Sequence, residues 1–224
     1  MRVRWPWPEA LLAVALLLPM TAPGKAQATG QALFEAVERR DIAALDRLIA
    51  AGTPLDATDA EGKTALLLAV RNDNLDAATR LIEAGADINA QAANRDTPWL
   101  LAGALGRTAM LRLMLPKGPD FSIRNRFGGN ALIPACERGH VDAVAFLVTT
   151  RIDIDHINNL GWTCLLEIVI LGDGGPRHVE VAKLVLGAGA DPNIADRDGV
   201  RPVQHARQRG QRDVAALIEA AGGR

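Results

Sequence analysis

The feature that most constrains the fold is a glycine that recurs at a fixed interval along most of the chain. Positions 52, 85, 118, 151, 189 and 222 are spaced 33, 33, 33, 38 and 33 residues apart, and all except Arg151 are glycine. Each follows an apolar segment with helical periodicity, where a glycine can adopt the left-handed conformation of a helix C-cap. A period in this range is typical of proteins built by stacking equivalent units.

Three further columns keep the same register. A first apolar column contains Leu33, Leu66, Trp99, Leu132, Leu165 and Val203, and a second contains Leu48, Leu81, Met114, Leu147, Val185 and Ile218. A column of small residues contains Ala36, Ala69, Ala102, Ala135 and Ala206, with Ile168 as the exception. We therefore expect two helices to pack closely at the alanines of each unit.

Within a unit the spacing predicts two short helices, for example over 64–71 and 75–84, followed by a loop. Thr64, Thr97 and Thr163 occupy positions where a hydroxyl can cap the first helix. Turn-forming residues then lead into a tight hairpin that ends at a glycine, as at Gly62, Gly128, Gly161 and Gly199. The predicted fold class is all-α, a solenoid of about six helix-turn-helix units joined by β-hairpin-like loops.

With these columns the chain resembles the ankyrin-repeat family. The matching segments are Asp59-Ala60-Glu61-Gly62-Lys63-Thr64-Ala65-Leu66, Asp96-Thr97-Pro98-Trp99, Gly139-His140-Val141-Asp142 and Gly189-Ala190-Asp191-Pro192-Asn193. The resemblance implies units over 29–58, 59–91, 92–124, 125–157, 158–195 and 196–224, the first and last being degenerate caps. The family's histidine after Thr-Pro-Leu is absent, and Pro134 and Arg151 make the fourth unit the least ideal.

The N-terminus has the pattern of a secretory signal peptide over residues 1–28. Arg2 and Arg4 precede an apolar run over 10–18, and Ala26-Gln27-Ala28 forms a small-x-small cleavage site, so we expect cleavage after Ala28. The alternative is a retained membrane anchor, although the run is shorter than the roughly 20 residues of a membrane span. Cleavage leaves 22 basic and 25 acidic residues, a net charge of about -3. We expect a periplasmic protein, with secretion as the alternative.

Charge and resemblance together limit the function classes. The formal net charge of -1 argues against a nucleic-acid partner, because nucleic-acid-binding domains usually carry an excess of Lys and Arg. The resemblance implies a non-catalytic module that binds a protein partner on its concave face and hairpin tips. We expect a monomer with no cofactor, and an envelope or extracellular protein as its partner.

The candidate partner-binding residues are exposed positions that differ from the family pattern. Along the hairpin tips these are Glu61, Lys63, Asn94, Asp96, Arg126, Phe127, Leu160, Trp162, Arg197 and Asp198, and at the ends of the first helices Arg71, Leu105, Arg138, Ile170 and Leu171. Phe127, Leu160 and Trp162 stand out, because hairpin tips are normally polar. Large apolar groups beside arginines are typical of an interface hot spot. The alternative is that the rings pack locally over neighbouring tips.

Other sequence features do not predict a chemical site. The insertion Gly172-Asp173-Gly174-Gly175-Pro176 lacks the Lys-Ser/Thr of a phosphate-binding loop, and is interpreted as an exposed spacer beside the partner-surface residues Ile170 and Leu171. His140 and His178 occupy a structural position of the family before the second helix. His156 and His205 complete no metal-ligand spacing, and no calcium loop is complete. We expect no metal site and no catalytic residue.

Cys136 and Cys164 are the only two cysteines of the chain. Cys136 is predicted mid-way along a first helix, and Cys164 at the start of the next. Units about 10 Å apart and five residues of helical rise would separate their Cα atoms by more than the ~7 Å that a disulfide tolerates. We therefore expect two buried free cysteines and no disulfide.

These observations leave three functional hypotheses. The first is an exported module that binds a partner protein. The second is an inhibitor or immunity-type protein that blocks a single enzyme or toxin through the central concave surface. The third is an enzyme with an unrecognised site, for which the sequence offers no constellation of residues.

Overall fold

A computed structural model describes residues 25–224, with side chains from residue 30 onward. Over this range twelve α-helices form six pairs, and one short 3-10 helix, Leu115–Lys117, extends the sixth helix. The helices are α1 Lys25–Glu38, α2 Ile42–Ala50, α3 Ala65–Arg71, α4 Leu75–Glu83, α5 Pro98–Ala104, α6 Thr108–Met114, α7 Leu132–Glu137, α8 Val141–Leu147, α9 Cys164–Ile170, α10 Pro176–Gly187, α11 Pro202–Gln208 and α12 Arg212–Ala220.

The pairs stack as two layers. Each first helix packs on the first helix of the next unit, in the order α1, α3, α5, α7, α9 and α11. Each second helix likewise packs on the next second helix, in the order α2, α4, α6, α8, α10 and α12. The all-α solenoid of six units is therefore confirmed. The hairpins are mostly turns, and within the described residues one isolated bridge pairs Thr58 with Thr64.

The first helices begin where the threonines predict. The hydroxyl oxygens of Thr64, Thr97 and Thr163 accept hydrogen bonds from the backbone N–H three residues later, at 3.2, 3.1 and 3.3 Å. Each bond satisfies one of the backbone donors that the first turn of a helix leaves free. All three threonines are buried, so the caps also fix the junction between hairpin and helix.

The second helices end at glycines in the predicted left-handed conformation, except in the fourth unit. Gly52, Gly85, Gly118, Gly189 and Gly222 have φ between 71° and 97°. Arg151 is absent from the residues with positive φ, so the left-handed cap that the glycine column predicts at this position does not form in the fourth unit. The hydroxyls of Thr149 and Thr150 end α8 instead, by donating to the carbonyl oxygens of Phe146 and Leu147 at 2.7 and 2.6 Å.

The buried core follows the predicted columns. Every member of the first apolar column is at most 2% exposed, and the small residues of the third column are at most 5% exposed. In the second column only Leu48, in the first pair, is partly exposed, because no further described unit covers that end of the stack. The expected position of Trp99 in the core is confirmed.

A second left-handed position, between the two helices of a unit, was not predicted. Gly106, Gly139 and Gly210 fill it in three units, whereas Arg40 and Asp73 adopt φ of 55° and 51° there. Arg95, with φ of 64°, likewise stands where other hairpins have glycine. These three side chains occupy a conformation that costs a residue with a Cβ on the order of 1 kcal/mol.

Cys136 and Cys164 form a disulfide, with their Cα atoms 5.6 Å apart, so the prediction of free cysteines is wrong. The error lies in the assumed register, because the end of one first helix lies beside the start of the next. In the preceding interface a Cβ on Gly103 would lie 2.8 Å from the Cβ of Ala131, and these residues precede the two cysteines by one period. Both cysteines are at most 1% exposed.

The insertion is tied to the array, not a free spacer. The buried side chain of Gln211 donates to the carbonyl oxygens of Val169 and Gly172 at 3.3 and 3.0 Å. Asp173 accepts from the backbone N–H of Gly175 at 2.8 Å and pairs with His178 Nδ1 at 2.6 Å. These hydrogen bonds lower the pKa of Asp173, with the bond from Gly175 contributing most.

Residues 1–24 of the predicted signal peptide lie outside the described range, and residues 25–28 belong to α1. The predicted cleavage after Ala28 therefore stays a prediction. Among the helices of residues 25–224, none combines the length and hydropathy needed to cross a membrane.

Candidate protein-binding surface

Each hairpin tip comprises three residues that end at a left-handed position. The tips of units two to six are residues 60–62, 93–95, 126–128, 159–161 and 197–199. In unit five, Asn158 Oδ1 accepts from the backbone N–H of Leu160 and of Trp162, at 2.9 and 3.0 Å. Asn125 Oδ1 holds the tip of unit four in the same way, through Phe127 and Gly129.

Neighbouring tips of units four to six are joined to one another. The backbone N–H of Asn159 donates to the carbonyl oxygen of Phe127 at 2.8 Å, and His156 Nε2 lies 2.6 Å from the carbonyl oxygen of Gly128. Arg197 Nη2 donates to the carbonyl oxygen of Asn159 at 2.6 Å. These bonds make one continuous edge of three tips.

Two large apolar side chains are exposed on this edge, and a third, Ile157, is exposed two residues before the tip of unit five. Phe127, Ile157 and Leu160 are 51%, 49% and 48% exposed, and we call them the apolar tip patch. Ile157 was not among the predicted residues. The equivalent positions of the other hairpins hold Thr58, Gln91, Arg124 and Ala195. An isoleucine in this mainly polar column is the sequence signal that identifies Ile157.

Trp162 differs from the expectation that it projects with Phe127 and Leu160. Its side chain is partly buried and packs against the core, so Trp162 is not counted in the exposed apolar tip patch. The alternative of local packing therefore describes Trp162 better than Phe127 or Leu160.

Two arginines flank the apolar tip patch. The Arg126 guanidinium lies over the Phe127 ring at 4.6 Å from its centroid, a cation–π arrangement. Arg197 packs across Gly161 and bonds to Asn159. Within the described residues, neither guanidinium lies within 4.0 Å of a carboxylate.

The predicted residues of units two and three have polar partners within their own hairpins. Lys63 pairs with Glu61, and only 17% of the Lys63 side chain is exposed. Asn94 Nδ2 donates to Asp96 Oδ2 at 2.8 Å. These tips therefore present fewer free groups than units four to six.

At the other end of the first helices the predicted residues are scattered. Arg71, Arg138 and Leu171 are exposed, whereas Leu105 and Ile170 are partly buried. Arg138 Nη1 donates to the carbonyl oxygen of Ala104 at 2.5 Å. Seven helical residues, about 10 Å of rise, separate Leu171 from the tip of its unit, so the structure does not join it to the apolar tip patch.

The buried carboxyl of Glu167 is hydrogen-bonded to the residue that precedes the tip of unit five. Asn158 Nδ2 donates to Glu167 Oε1 at 2.7 Å, while Glu167 Oε2 is buried without a hydrogen-bond partner. Burial, with a smaller contribution from the nearby Glu137 carboxylate, raises the pKa of Glu167 to about 7, and the bond from Asn158 opposes the shift. Glu167 is therefore partly protonated near neutral pH. The repeat pattern does not predict this role for Glu167.

Besides His156, two further histidines join helices to hairpins or to neighbouring units. His205 Nε2 bonds to Asp196 Oδ2 at 2.7 Å, and His178 Nε2 lies 2.9 Å from the carbonyl oxygen of Glu137 in the preceding unit. Burial lowers the pKa of His140, and the positive charges of Arg138, Arg177 and Arg107 add to the effect. Over the described part of the chain, no three His, Cys, Asp or Glu residues are placed to hold a metal ion.

Stacked helix pairs with hairpin tips along one edge define a repeat protein of the ankyrin class. The family model "Ankyrin repeats (3 copies)" matches residues 10–92 and 99–196, and the chain belongs to this family. It is similar to the ankyrin repeat protein YahD of Escherichia coli (strain K12), with 38% identity over 188 residues, 84% of this chain and 94% of YahD.

Two further relatives connect the fold to known proteins. The crystal structure of an ankyrin repeat domain from Acinetobacter baumannii AYE has 47% identity and a TM-score of 0.83, covering 86% of this chain and 98% of that domain. Cyclin-dependent kinase 4 inhibitor B of Bos taurus is 36% identical over 99 residues, 43% of this chain and 71% of that protein. Ankyrin-repeat proteins are generally protein–protein interaction modules, and the fold is typically a non-enzymatic scaffold.

Proposed function

We propose that this protein is an exported interaction module that binds a partner protein of the cell envelope on the tips of units four to six. The observation that carries the proposal is the apolar tip patch, whose three large side chains are about half exposed on two joined, neighbouring tips and just before the second of them. Exposed apolar groups that are held rigidly are the kind of anchor on which interface energy concentrates.

Two observations support export to the periplasm. One is the basic, apolar and small-residue pattern of residues 1–28. The other is the Cys136–Cys164 disulfide, because disulfides persist in oxidising compartments and are rare in a reducing cytosol. The mature N-terminus is then Thr29. Mass spectrometry of the exported protein tests this directly, and a chain that keeps Met1 in the membrane fraction would contradict it.

The partner-binding part of the proposal is tested by affinity capture from the exported fraction. The Phe127→Ala/Leu160→Ala variant should lose the partners that the unaltered protein retains. Leu75→Ala is the matched control, because Leu75 is 41% exposed at the start of α4, away from the tips. Circular dichroism should show that all three proteins are equally folded. Capture that survives the double substitution would refute the assignment of the surface.

The inhibitor hypothesis is the alternative that a specific similarity favours. The bovine relative is named as an inhibitor of cyclin-dependent kinase 4. An inhibitor should retain one enzyme or toxin in near-stoichiometric amount and suppress its activity. A general scaffold should retain several partners without changing their activity, so the same capture experiment separates the two.

A further inference from the structure

The tips of units four to six carry a distinct combination of charge and apolar surface. Resting on the proposed function, we infer that they bind an extended acidic segment of the partner, in which apolar side chains lie between carboxylates. The inference specifies the chemistry of the partner, which the proposed function leaves open.

The charges on the tips differ in sign from the protein as a whole. Across the tips of units four to six the ionisable residues are Arg126, Arg197 and Asp198, two cations against one anion. The complete chain has a formal charge of -1. This edge is therefore locally basic on a weakly acidic protein, and complementary charge favours an acidic partner.

Arg126 and Arg197 keep hydrogen-bonding capacity for a ligand. Among the described residues, Arg126 donates no side-chain hydrogen bond to the protein, and its guanidinium carbon lies 4.6 Å from the centroid of the Phe127 ring. Arg197 uses Nη2 for the carbonyl oxygen of Asn159, which anchors the group while leaving further N–H donors free. A planar guanidinium matches a carboxylate through two parallel hydrogen bonds.

The apolar tip patch lies beside these two arginines along the array. Arg126 is on the tip of unit four, and Arg197 reaches back from unit six to the carbonyl oxygen of Asn159 on the tip of unit five. Helices pack about 8 to 10 Å apart, so about one step of the stack separates the two guanidinium groups. An extended chain rises about 3.3 Å per residue, which places the two carboxylates about three residues apart with apolar residues between them.

The test is a display selection of random nine-residue peptides on the immobilised full chain. Selected peptides should carry Asp or Glu at two positions about three residues apart, with apolar residues between. A synthetic peptide of the consensus should bind the Arg126→Glu/Arg197→Glu variant at least tenfold more weakly by fluorescence anisotropy. The Arg209→Glu/Arg212→Glu variant, which changes two exposed arginines away from the tips, should bind within twofold of the unaltered protein.

Several outcomes overturn the inference. They are the absence of enriched peptides, enriched peptides without acidic residues or with basic ones, and equal loss of binding in the control variant. Tighter binding of a single-stranded oligothymidine than of the consensus peptide would show that the arginines serve nucleic acid instead. If the acidic preference fails but the Phe127→Ala/Leu160→Ala variant still loses its captured partner, the proposed function stands and only the acidic segment is refuted. Intact capture with that variant refutes the proposed function itself.

Discussion

Units two and three differ from units five and six in how each hairpin is joined to its first helix. At one register position the first helices of units two and three carry Leu68 and Leu101, which pack against the core. The same position holds Glu167 in unit five and His205 in unit six, and each bonds to a polar side chain at the base of its hairpin. The same backbone arrangement is thus stabilised by apolar contact in units two and three and by titratable groups in units five and six.

The interfaces between units show a related difference. Between units three and four, Gly103, which has no side chain, lets Ala131 approach closely, and no covalent bond links the two units at this position. Between units four and five, Cys136 and Cys164 occupy the equivalent positions and are covalently joined. Because the units of a solenoid contact only their neighbours, such local differences change local stability. The C-terminal half should therefore respond to redox conditions and to pH more strongly than the N-terminal half.

The largest expected effect comes from removing the disulfide. Its ends are 28 residues apart, and the loop-entropy relation gives about 3.5 kcal/mol of stabilisation for a loop of this size. The Cys136→Ala/Cys164→Ala variant should lose about that much free energy of unfolding in guanidinium chloride. Hydrogen exchange should locate the loss in α7 to α10. Reduction of the unaltered protein that leaves its unfolding midpoint unchanged would contradict the structural role of the bond.

The next largest effect concerns Glu167. Because its pKa is raised from 4.5 to about 7, the folded protein holds this proton more tightly than the unfolded chain does. Stability from this group is complete below about pH 4.5 and falls as the pH rises to about 7. Glu167→Gln should remove that fall and stabilise the protein at pH 8 by about 2 to 3 kcal/mol.

Urea unfolding at pH 5 and pH 8 measures the effect of Glu167→Gln. Glu180→Gln is the control, since Glu180 lies on the more exposed side of α10 and its salt bridge to Lys183 is at the surface. The control should keep the pH dependence of the unaltered protein. An equal stability change at both pH values would mean that the Glu167 carboxyl does not titrate in this range.

Asp196 in unit six should respond to pH with the opposite sign. Burial acts to raise its pKa, but hydrogen bonds from Val200, His205 and Asp198 outweigh burial and hold the pKa below its ordinary value of 3.8. Its stabilisation is therefore present above pH 3.8 and is lost as the pH falls through the lower folded value. Asp196→Asn should cost about 1 to 2 kcal/mol at pH 7 and progressively less towards pH 3.

The comparison between Glu167 and Asp196 is sharpened by measuring both variants in one pH series. The two curves of stability change should diverge above pH 5, with Glu167→Gln more stable and Asp196→Asn less stable than the unaltered protein. Parallel curves would show that the Glu167 and Asp196 carboxyls do not have pKa values shifted in opposite directions.

The smallest expected effect concerns the left-handed residue in unit three. Arg95 adopts φ of 64° where other tips have glycine, so Arg95→Gly should stabilise the protein by about 0.5 to 1 kcal/mol. Arg151→Gly is the control. Arg151 does not have positive φ, so a glycine there only adds freedom to the unfolded chain and should destabilise slightly. In thermal unfolding, Arg95→Gly should be more stable and Arg151→Gly less stable than the unaltered protein. The reverse order would contradict the backbone conformations assigned to Arg95 and Arg151.

Much of the repeat architecture could be predicted from columns in the sequence. Thr64, Gly85 and Leu132 act within one unit or against its nearest neighbour, so their spacing alone indicates their roles. The candidate surface was predicted less completely. Phe127 and Leu160 were found because large apolar residues are unusual at tips, whereas Ile157 was missed and the exposure of Trp162 was overestimated. Exposure depends on how a side chain turns relative to neighbouring tips, which a position in a column does not specify.

The all-α solenoid, its six units and its main caps follow from the sequence, because they depend on local periodicity and on contacts that recur once per unit. The pairing of Cys136 with Cys164, the bond from Asn158 to Glu167 and the joining of three tips into one edge depend on how whole units pack. These contacts depend on the register between units. The offset between successive helices and the path of each hairpin arise from packing whole units together, and a shift of a few ångströms decides whether two side chains bond or stay apart.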